Sequence, residues 1–442
     1  MFILYSIIYL LALSVVLLSE YRKRPRQLRS RWLREKRGII DRIPDTTGET
    51  LWIHAVSVGE VLAAVPFVKA LRARYPSMQI VISTITDTGQ KIAGERFGAF
   101  ARIVYMPFDL PTCINRFLDT VRPKLFLIME TEIWPNAIRI CHERGIQVAL
   151  INGRISDRSF RGYLKMRFFM RQVFQRMSTL CVQNETYAER LRALGASPDA
   201  VYAAGNIKFD LHLSGTRPAW TERLSGPVVI AGSTHHPEEE IILAAYQQVL
   251  TAVPGLNLIL APRHPERFGE VEALLKRSGL PHSKRSHYGA EARKRGSSGY
   301  DYQDGNLDDI QDSSGLPAFP SSGLVVLLDA MGELGVTYAA CDIAIMGGSF
   351  LPHGGQNLLE PAYWGKAILC GPHMENFPFV HEFYSAGAAK SVAADTLADI
   401  LLSLLDSPAA MREMGNAARA LLEQNAGATG RTLDRVSALL AR

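Results

Sequence analysis

From residue 51 onward the chain alternates short, unbroken apolar runs with longer amphipathic stretches. "LWIHAV" leads into a helical stretch reaching Arg74, "QIVISTI" into one near Gly89 to Phe97, and "RIVYMPF" into "CINRFLDTV". "LFLIME" precedes "NAIRICHERG", "VALINGR" precedes a long basic amphipathic helix, and "TLCVQN" and "VYAAGN" close the series. Runs apolar at every position, separated by helices of about ten residues or more, predict α/β architecture with a parallel sheet covered on both faces. The rhythm pauses at "GTRPAWTERLSGP", residues 215–227, whose Gly, Pro and polar content reads as a linker. It resumes with "VVIAGST", "LNLILAPR", "LVVLLDA", "IAIMGGS" and "AILCGP". Two successive Rossmann-like domains are expected, at 45–214 and 228–442. Residues 283–323 interrupt the second with a Ser- and Gly-rich stretch lacking any hydrophobic period, read as a mobile surface insertion without chemistry.

The first twenty residues follow another pattern. Residues 2–19, "FILYSIIYLLALSVVLLS", carry no charge, and eighteen residues is near the short end for crossing a bilayer. The basic cluster follows this run instead of preceding it, as in an uncleaved anchor (1–20) with the body in the cytoplasm, and unlike a signal peptide. A helix lying in the interface is the alternative. Within the basic juxtamembrane segment, 21–44, Arg22 to Arg37 are expected against anionic headgroups of the cytoplasmic leaflet of the inner membrane.

Charge sharpens this picture. The chain is +6 overall, yet "EYRKRPRQLRSRWLREKR", residues 20–37, holds nine Lys/Arg against Glu20 and Glu35, a local +7. The remainder sums to −1 (6 − 7), so no nucleic-acid partner is expected. Five scattered cysteines without a CxxC pattern, and histidines without HExxH spacing, suggest reduced buried thiols and no metal or cofactor.

Candidate chemistry belongs beyond the carboxyl ends of the strands. Ser57-Val-Gly-Glu60 matches a capping box, a structural role for Glu60, but the same carboxylate ends the first strand and could take a proton from a hydroxyl. Glu130 and Glu132 end "LFLIME" two residues apart, where one strand face would repel them and raise one pKa; a helix-start acid is the alternative. Lys208 in "GNIKFD" is either a solvated lysine or, at an interdomain cleft, a phosphate partner. The second half offers Gly-rich turns as candidate anion sites at "AGSTHHPEEE", "DAMGELGV" and "MGGSFLPHGGQNLLEPA". It also presents Arg263 as a planar fork, and Glu360 as an acceptor for a ribose diol or a counter to the helix dipole.

In that order the motifs "HAVSVGE", "LIMETEIWPN", "NGRISDRS", "GNIKFD", "GSTHHPEEE", "PRHPERF", "MGEL", "GGSFLPHGGQNLLEPA" and "GPHMENF", after the N-terminal anchor, resemble the 3-deoxy-D-manno-octulosonic acid (Kdo) transferases of lipid A assembly across the whole chain. The resemblance implies a GT-B fold, two Rossmann-like domains facing across a cleft, and Kdo transfer from CMP-Kdo to a lipid A precursor. It implies Glu60 as general base, and Glu130 and Lys208 as transition-state stabilisers. CMP contacts are implied at Pro262, Arg263, Met331, Gly332, Glu333, Asn357, Leu358, Leu359 and Glu360. It further implies a C-terminal helix, within "PAAMREMGNAARALLEQN", packing back on the first domain. Many relatives carry His where Gln356 stands, and the 283–323 insertion is long for the family. Two competing readings are a GT-B epimerase or transferase using another sugar nucleotide, and a non-catalytic lipid-A-binding relative. Basic residues Arg154, Arg158, Arg161, Lys165 and Arg167 are candidates for acceptor phosphates or for simple helix solvation.

Overall fold

The structure, a computed structural model, describes residues 1–41, 48–213, 215–288 and 323–441. It forms two compact units, Met1–Asp210 with Asn425–Arg442, and Leu211–Gln424. Each contains an all-parallel sheet of seven strands among the described residues.

The first sheet comprises β1 (Thr50–His54), β2 (Gln79–Thr84), β3 (Ala101–Tyr105), β4 (Pro123–Met129), β5 (Gln147–Gly153), β6 (Thr179–Val182) and β7 (Val201–Ala203), in the order β3-β2-β1-β4-β5-β6-β7. The unbroken apolar runs are explained by two buried faces. Trp52, Val81, Phe126 and Val148 enter one core, while Leu51, Ile53, Ile80, Leu125 and Leu127 enter the other. Local signals begin the helices: Ser57, Thr86 and Asn184 each accept a backbone N–H three residues on. The chain changes its direction of travel between β1 and β4, so their carboxyl ends border a crevice that topology reserves for ligands.

Several sequence expectations change here. The long basic helix after β5 is two helices, Asp157–Lys165 and Arg167–Phe174, broken at Met166 where ψ turns to 23°. The second-domain range 228–442 runs too far. The helix Pro408–Asn425 stays with the second unit up to Gln424, and it is the next helix, Ala428–Leu440, that belongs to the first. Its Leu433, Val436 and Leu439 join Val61, Phe67 and Leu71 of the Val58–Arg74 helix. Asp210 receives the Gly427 and Thr429 N–H groups, and Arg431 donates to the Ala204 carbonyl at 2.8 Å.

The basic segment is part of the fold as well. In the helix Arg26–Lys36, Arg31 donates to the Ile103 carbonyl (2.8 Å) and Glu35 accepts the Tyr105 N–H (2.7 Å). One i,i+4 ion pair thus covers the open edge of β3. Arg24 pairs with Asp87 and stacks over Trp32, and Lys36 is buried. The expectation that residues 22–37 face headgroups throughout is therefore corrected: Arg22, Lys23, Arg26 and Arg37 stay exposed.

The helix Phe2–Lys23 is long and apolar enough to cross a membrane. Phe2, Tyr5, Tyr9, Leu13, Leu17 and Tyr21, spaced three or four apart, pack on the first unit. Ile3, Leu4, Ile7, Ile8, Leu11 and Val15 are exposed.

The second sheet comprises β8 (Val228–Thr234), β9 (Asn257–Pro262), β10 (His282–Lys284), β11 (Val325–Leu327), β12 (Ile343–Met346), β13 (Ala367–Cys370) and β14 (Lys390–Ser391), ordered β10-β11-β9-β8-β12-β13-β14. Here the crevice lies between β8 and β12. The edge strands β10 and β14 are short and polar, which is why no hydrophobic run announced them. The stretch 215–227 is packed, not a free linker: Trp220 and Leu224 enter the core beside Val228 and Ile230. Most of the expected insertion, 289–322, lies outside the described residues. Its described start does not match an unstructured surface segment, because Ser283 and Lys284 lie in β10 and the next residues fold onto the loop after β11.

Candidate active site

In the first unit the topological crevice holds Glu60. Its backbone N–H meets Ser57 Oγ at 3.4 Å, while its own Oε2 accepts the Val56 N–H at 2.7 Å. The reciprocal box is displaced by one residue, and it engages only one carboxylate oxygen. No protein hydrogen bond reaches Oε1 among the described residues. Burial pushes the Glu60 carboxyl up to about 7, opposed by the Val56 N–H; Glu130 and Glu132 add to the rise and Arg154 opposes it. A half-buried carboxylate titrating near neutrality, with one oxygen anchored and the other unbonded, suits a general base.

Glu130 follows β4. Its φ of 53° takes the chain out of extended geometry, so Glu130 and Glu132 do not share a strand face as expected. The Glu132 carboxyl is raised by its own burial. Glu130 is only 2% exposed, and it is compensated from two sides. Arg154 Nε donates to Oε2 at 2.7 Å, and Lys208 Nζ lies 3.1 Å from Oε1 as an ion pair, outside hydrogen-bonding angles. One buried carboxylate between two cations leaves a local charge of about +1. Lys208 is therefore not a solvated lysine, and Arg154 serves Glu130 as well as any helix surface.

The supports of this cluster were not singled out from sequence. Asn152, the last residue but one of β5, adopts φ 54° and accepts the Ile207 N–H (3.0 Å), fixing the turn that carries Lys208. Asn206 accepts the Lys208 N–H. His54, fully buried at the end of β1, accepts from Trp134 Nε1 through Nε2 (3.1 Å). An indole only donates, so His54 Nε2 is unprotonated and Nδ1 faces Ser83. Burial, with Lys36 nearby, pushes this imidazole down to about 3 against the pull of Ser83, so it is a neutral strut. Asp109 accepts the Asn136 and Ala137 N–H groups (3.0 and 2.7 Å) at the start of Pro135–Glu143, and the Tyr5 hydroxyl at 2.9 Å. Asn136 also donates to Ser6 Oγ. The loop carrying Glu130 is thus tied to the N-terminal helix. The Trp-Pro-Asn string hinted at a helix start, but its cap comes from a residue 27 positions away.

In the second unit Asn357 Nδ2 lies 3.5 Å from Glu360 Oε1, and Asn357 Oδ1 accepts the Leu359 N–H. Burial raises the Glu360 carboxyl, while Asn357 and the charge of Arg263, in the loop after β9, draw it down. Pro262 ends β9, Leu358 and Leu359 are buried, and Met331 is exposed next to Gly332, whose φ is 85°. Glu333 is held by Arg285 in a two-point pair (2.7 and 3.2 Å), and Ser286 donates to Asp329, so the start of the expected insertion braces this turn. One anticipated anion site is already filled. Glu238 accepts the N–H groups of Gly348, Ser349 and Phe350 (2.6, 2.9 and 2.9 Å) and of His235, so the backbone turn "GGSF" has no N–H left for a ligand.

Residues 30–211 match the family model described as 3-Deoxy-D-manno-octulosonic-acid transferase (kdotransferase). A 3-deoxy-D-manno-octulosonic acid transferase of Haemophilus influenzae is 34% identical over 93% of this chain and 92% of its own length. The Bordetella pertussis enzyme of the same name is 33% identical over 89% and 88%. Among solved structures, UDP-GlcNAc 2-epimerase from Neisseria meningitidis covers 88% of this chain and 99% of its own at TM-score 0.54 and 12% identity, a likeness of fold. Two Rossmann-like units in one chain, and sequence similarity running nearly end to end, lead to one conclusion: the chain belongs to the 3-deoxy-D-manno-octulosonic acid transferase family and is a glycosyltransferase.

Proposed function

We propose that this enzyme transfers Kdo from CMP-Kdo to a lipid A precursor, with inversion at the anomeric carbon, in lipopolysaccharide biosynthesis at the cytoplasmic face of the inner membrane. The observation that carries the mechanism is the Glu60 carboxylate, poised near neutrality with one oxygen unbonded. Its ionised form takes the proton of an acceptor hydroxyl while that oxygen attacks the sugar. The bond to the phosphate oxygen breaks, CMP leaves with the electron pair, and attack opposite the leaving group inverts the centre, as in inverting glycoside hydrolysis with an alcohol in place of water. Lys208 and Arg154, held by Glu130, supply positive charge for the developing anions, each worth about 3 kcal/mol by analogy with oxyanion donors. Pro262, Arg263, Met331 to Glu333 and Asn357 to Glu360 bind CMP, with Glu360 accepting from the ribose. A carboxyl raised by burial gains from that partner.

The docked face of Phe2–Lys23 favours an interfacial anchor over a spanning one. A helix bound from Phe2 to Tyr21 along the first unit has no free length to cross a bilayer, whereas its bare apolar face suits shallow insertion. Exposed Leu164, Met166 and Phe168, among Arg158, Arg161, Lys165 and Arg167, extend the same character.

The test is mass analysis of lipid formed from purified protein, CMP-Kdo and precursor. Lipid gaining whole Kdo residues, with equivalent CMP released, is expected. Transfer or epimerisation of a UDP sugar, with CMP-Kdo untouched, would overturn the donor assignment.

A further inference from the structure

The loops after β8, β9 and β12, three neighbouring strands, each contribute a histidine to one cluster that the proposed mechanism does not use. The rings of His235 and His353 stack at 4.7 Å and 20°, and His264 meets His235 edge-on at 5.4 Å. This is the crevice of the second unit, where α/β sheets take ligands. His235 Nδ1 is buried without a hydrogen-bond partner. A Cβ on Gly348 would stand 3.3 Å from that nitrogen and 3.3 Å from Gln356 Nε2, so two polar nitrogens border one small gap over a glycine. Asn376 secures the segment by donating to the His353 carbonyl at 3.0 Å.

The charged and titratable groups acting on His235 are His353 from the loop after β12, His264 from the loop after β9, and Glu238, which opens the helix three residues on. Glu238 is spent on four backbone N–H groups, and the contact of His264 with Glu266 is long, at 3.8 Å. Burial, reinforced by His353 and His264, holds the His235 imidazole below its usual range. Three crowded imidazoles are mutually unfavourable once protonated, more so with Glu238 engaged by backbone N–H groups, and an incoming oxyanion lowers that penalty. The backbone turn here cannot serve the anion, because Glu238 occupies it. Side chains have to.

We infer that His235, His264 and His353, with Gln356, form an oxyanion subsite for the sugar-nucleotide donor, taking oxygens of its phosphate or of the sugar's carboxylate. The inference rests on the CMP-Kdo reading and extends it to residues outside the CMP set.

The experiment is calorimetric titration of the full-length protein and of H235A/H353A with CMP-Kdo, CMP and cytidine, without acceptor. CMP-Kdo should bind about tenfold more weakly to the variant, the loss expected for a charge-assisted hydrogen bond. If the phosphate is the bound group, CMP weakens equally and cytidine does not; if the sugar carboxylate is bound, CMP is unchanged. H235N, which returns an N–H donor near the position of Nδ1, should recover part of the loss. His264 and His353 are exposed, so H264A/H353A reads the same effect should loss of His235 disturb folding. CMP-Kdo affinity within twofold of wild type in folded variants overturns the subsite, as does equal weakening of cytidine. Failure of the wild-type protein to bind CMP-Kdo or CMP at all overturns the donor reading instead, and the subsite with it.

Discussion

A carboxylic acid that titrates near 7 costs the fold something and is useful for the same reason. For Glu60 the folded value, about 7, exceeds the ordinary 4.5, so the folded chain binds the proton more tightly and stability falls as pH rises through that window. E60Q removes the charge and leaves an acceptor for the Val56 N–H. It should therefore melt at or above the wild-type temperature at pH 8, with the gap closing below about pH 4.5, by differential scanning fluorimetry. Its turnover should drop roughly 100-fold to 10,000-fold, the usual worth of a positioned base. Wild-type kcat/KM should fall as pH drops through about 7, and a kcat/KM flat from pH 6 to 8 removes Glu60 from that role. Position 60 was legible in sequence as two competing functions. In the structure one carboxylate oxygen caps and the other accepts no protein hydrogen bond among the described residues, so capping leaves the proposed base role open. Lys208 and Arg154 were legible only as basic residues, because their shared partner Glu130 comes from a different strand.

At the scale of elements, two buried charges decide how the N-terminal third packs. Asp109 caps Pro135–Glu143 from a distance and receives Tyr5 from the apolar helix. Replacing a cap costs about 1 kcal/mol. D109A also strands the Tyr5 hydroxyl and the Asn136 and Ala137 N–H groups and loosens the loop bearing Glu130, so roughly 2–4 kcal/mol of stability should be lost in urea titration, with kcat reduced. Lys36 behaves oppositely. Burial, with Arg24 beside it, lowers its ammonium to about 7, Glu20 opposing. The unfolded chain then holds the extra proton between about 7 and 10.5, so stability rises with pH across that interval. K36M should raise stability at pH 7 by roughly 1–4 kcal/mol, as replacement of buried charge by apolar packing often does, and should erase that rise. Central strands were readable because both faces are apolar. β10 and β14 were not, being short edges whose pairing comes from the neighbour.

For the whole molecule, Ala428–Leu440 is an integral part of a unit that otherwise ends at Asp210. Truncation after Asn425 exposes Val61, Phe67 and Leu71 and leaves the Asp210 carboxylate without the Gly427 and Thr429 N–H groups. Calorimetry of the truncated chain should show the first unit's transition lowered or lost, with the second unit's preserved; equal loss of both would mean that the units do not melt independently.

Apolar periodicity alone was enough to specify two parallel α/β units, because burying both faces of a sheet demands unbroken hydrophobic runs whatever lies elsewhere in the chain. Ordered motifs were enough to single out Glu60, Glu130, Lys208 and the candidate residues of the second unit near strand ends, since topology puts ligands there. Which side chains meet was beyond such reading. Arg154 and Lys208 reach Glu130, Arg31 and Glu35 seal β3, Glu238 fills the glycine turn, and three histidines gather from separate strands. Each of these contacts spans a sequence distance that local pattern does not encode, and arises only when each sheet assembles its own strands and the segments packed on them.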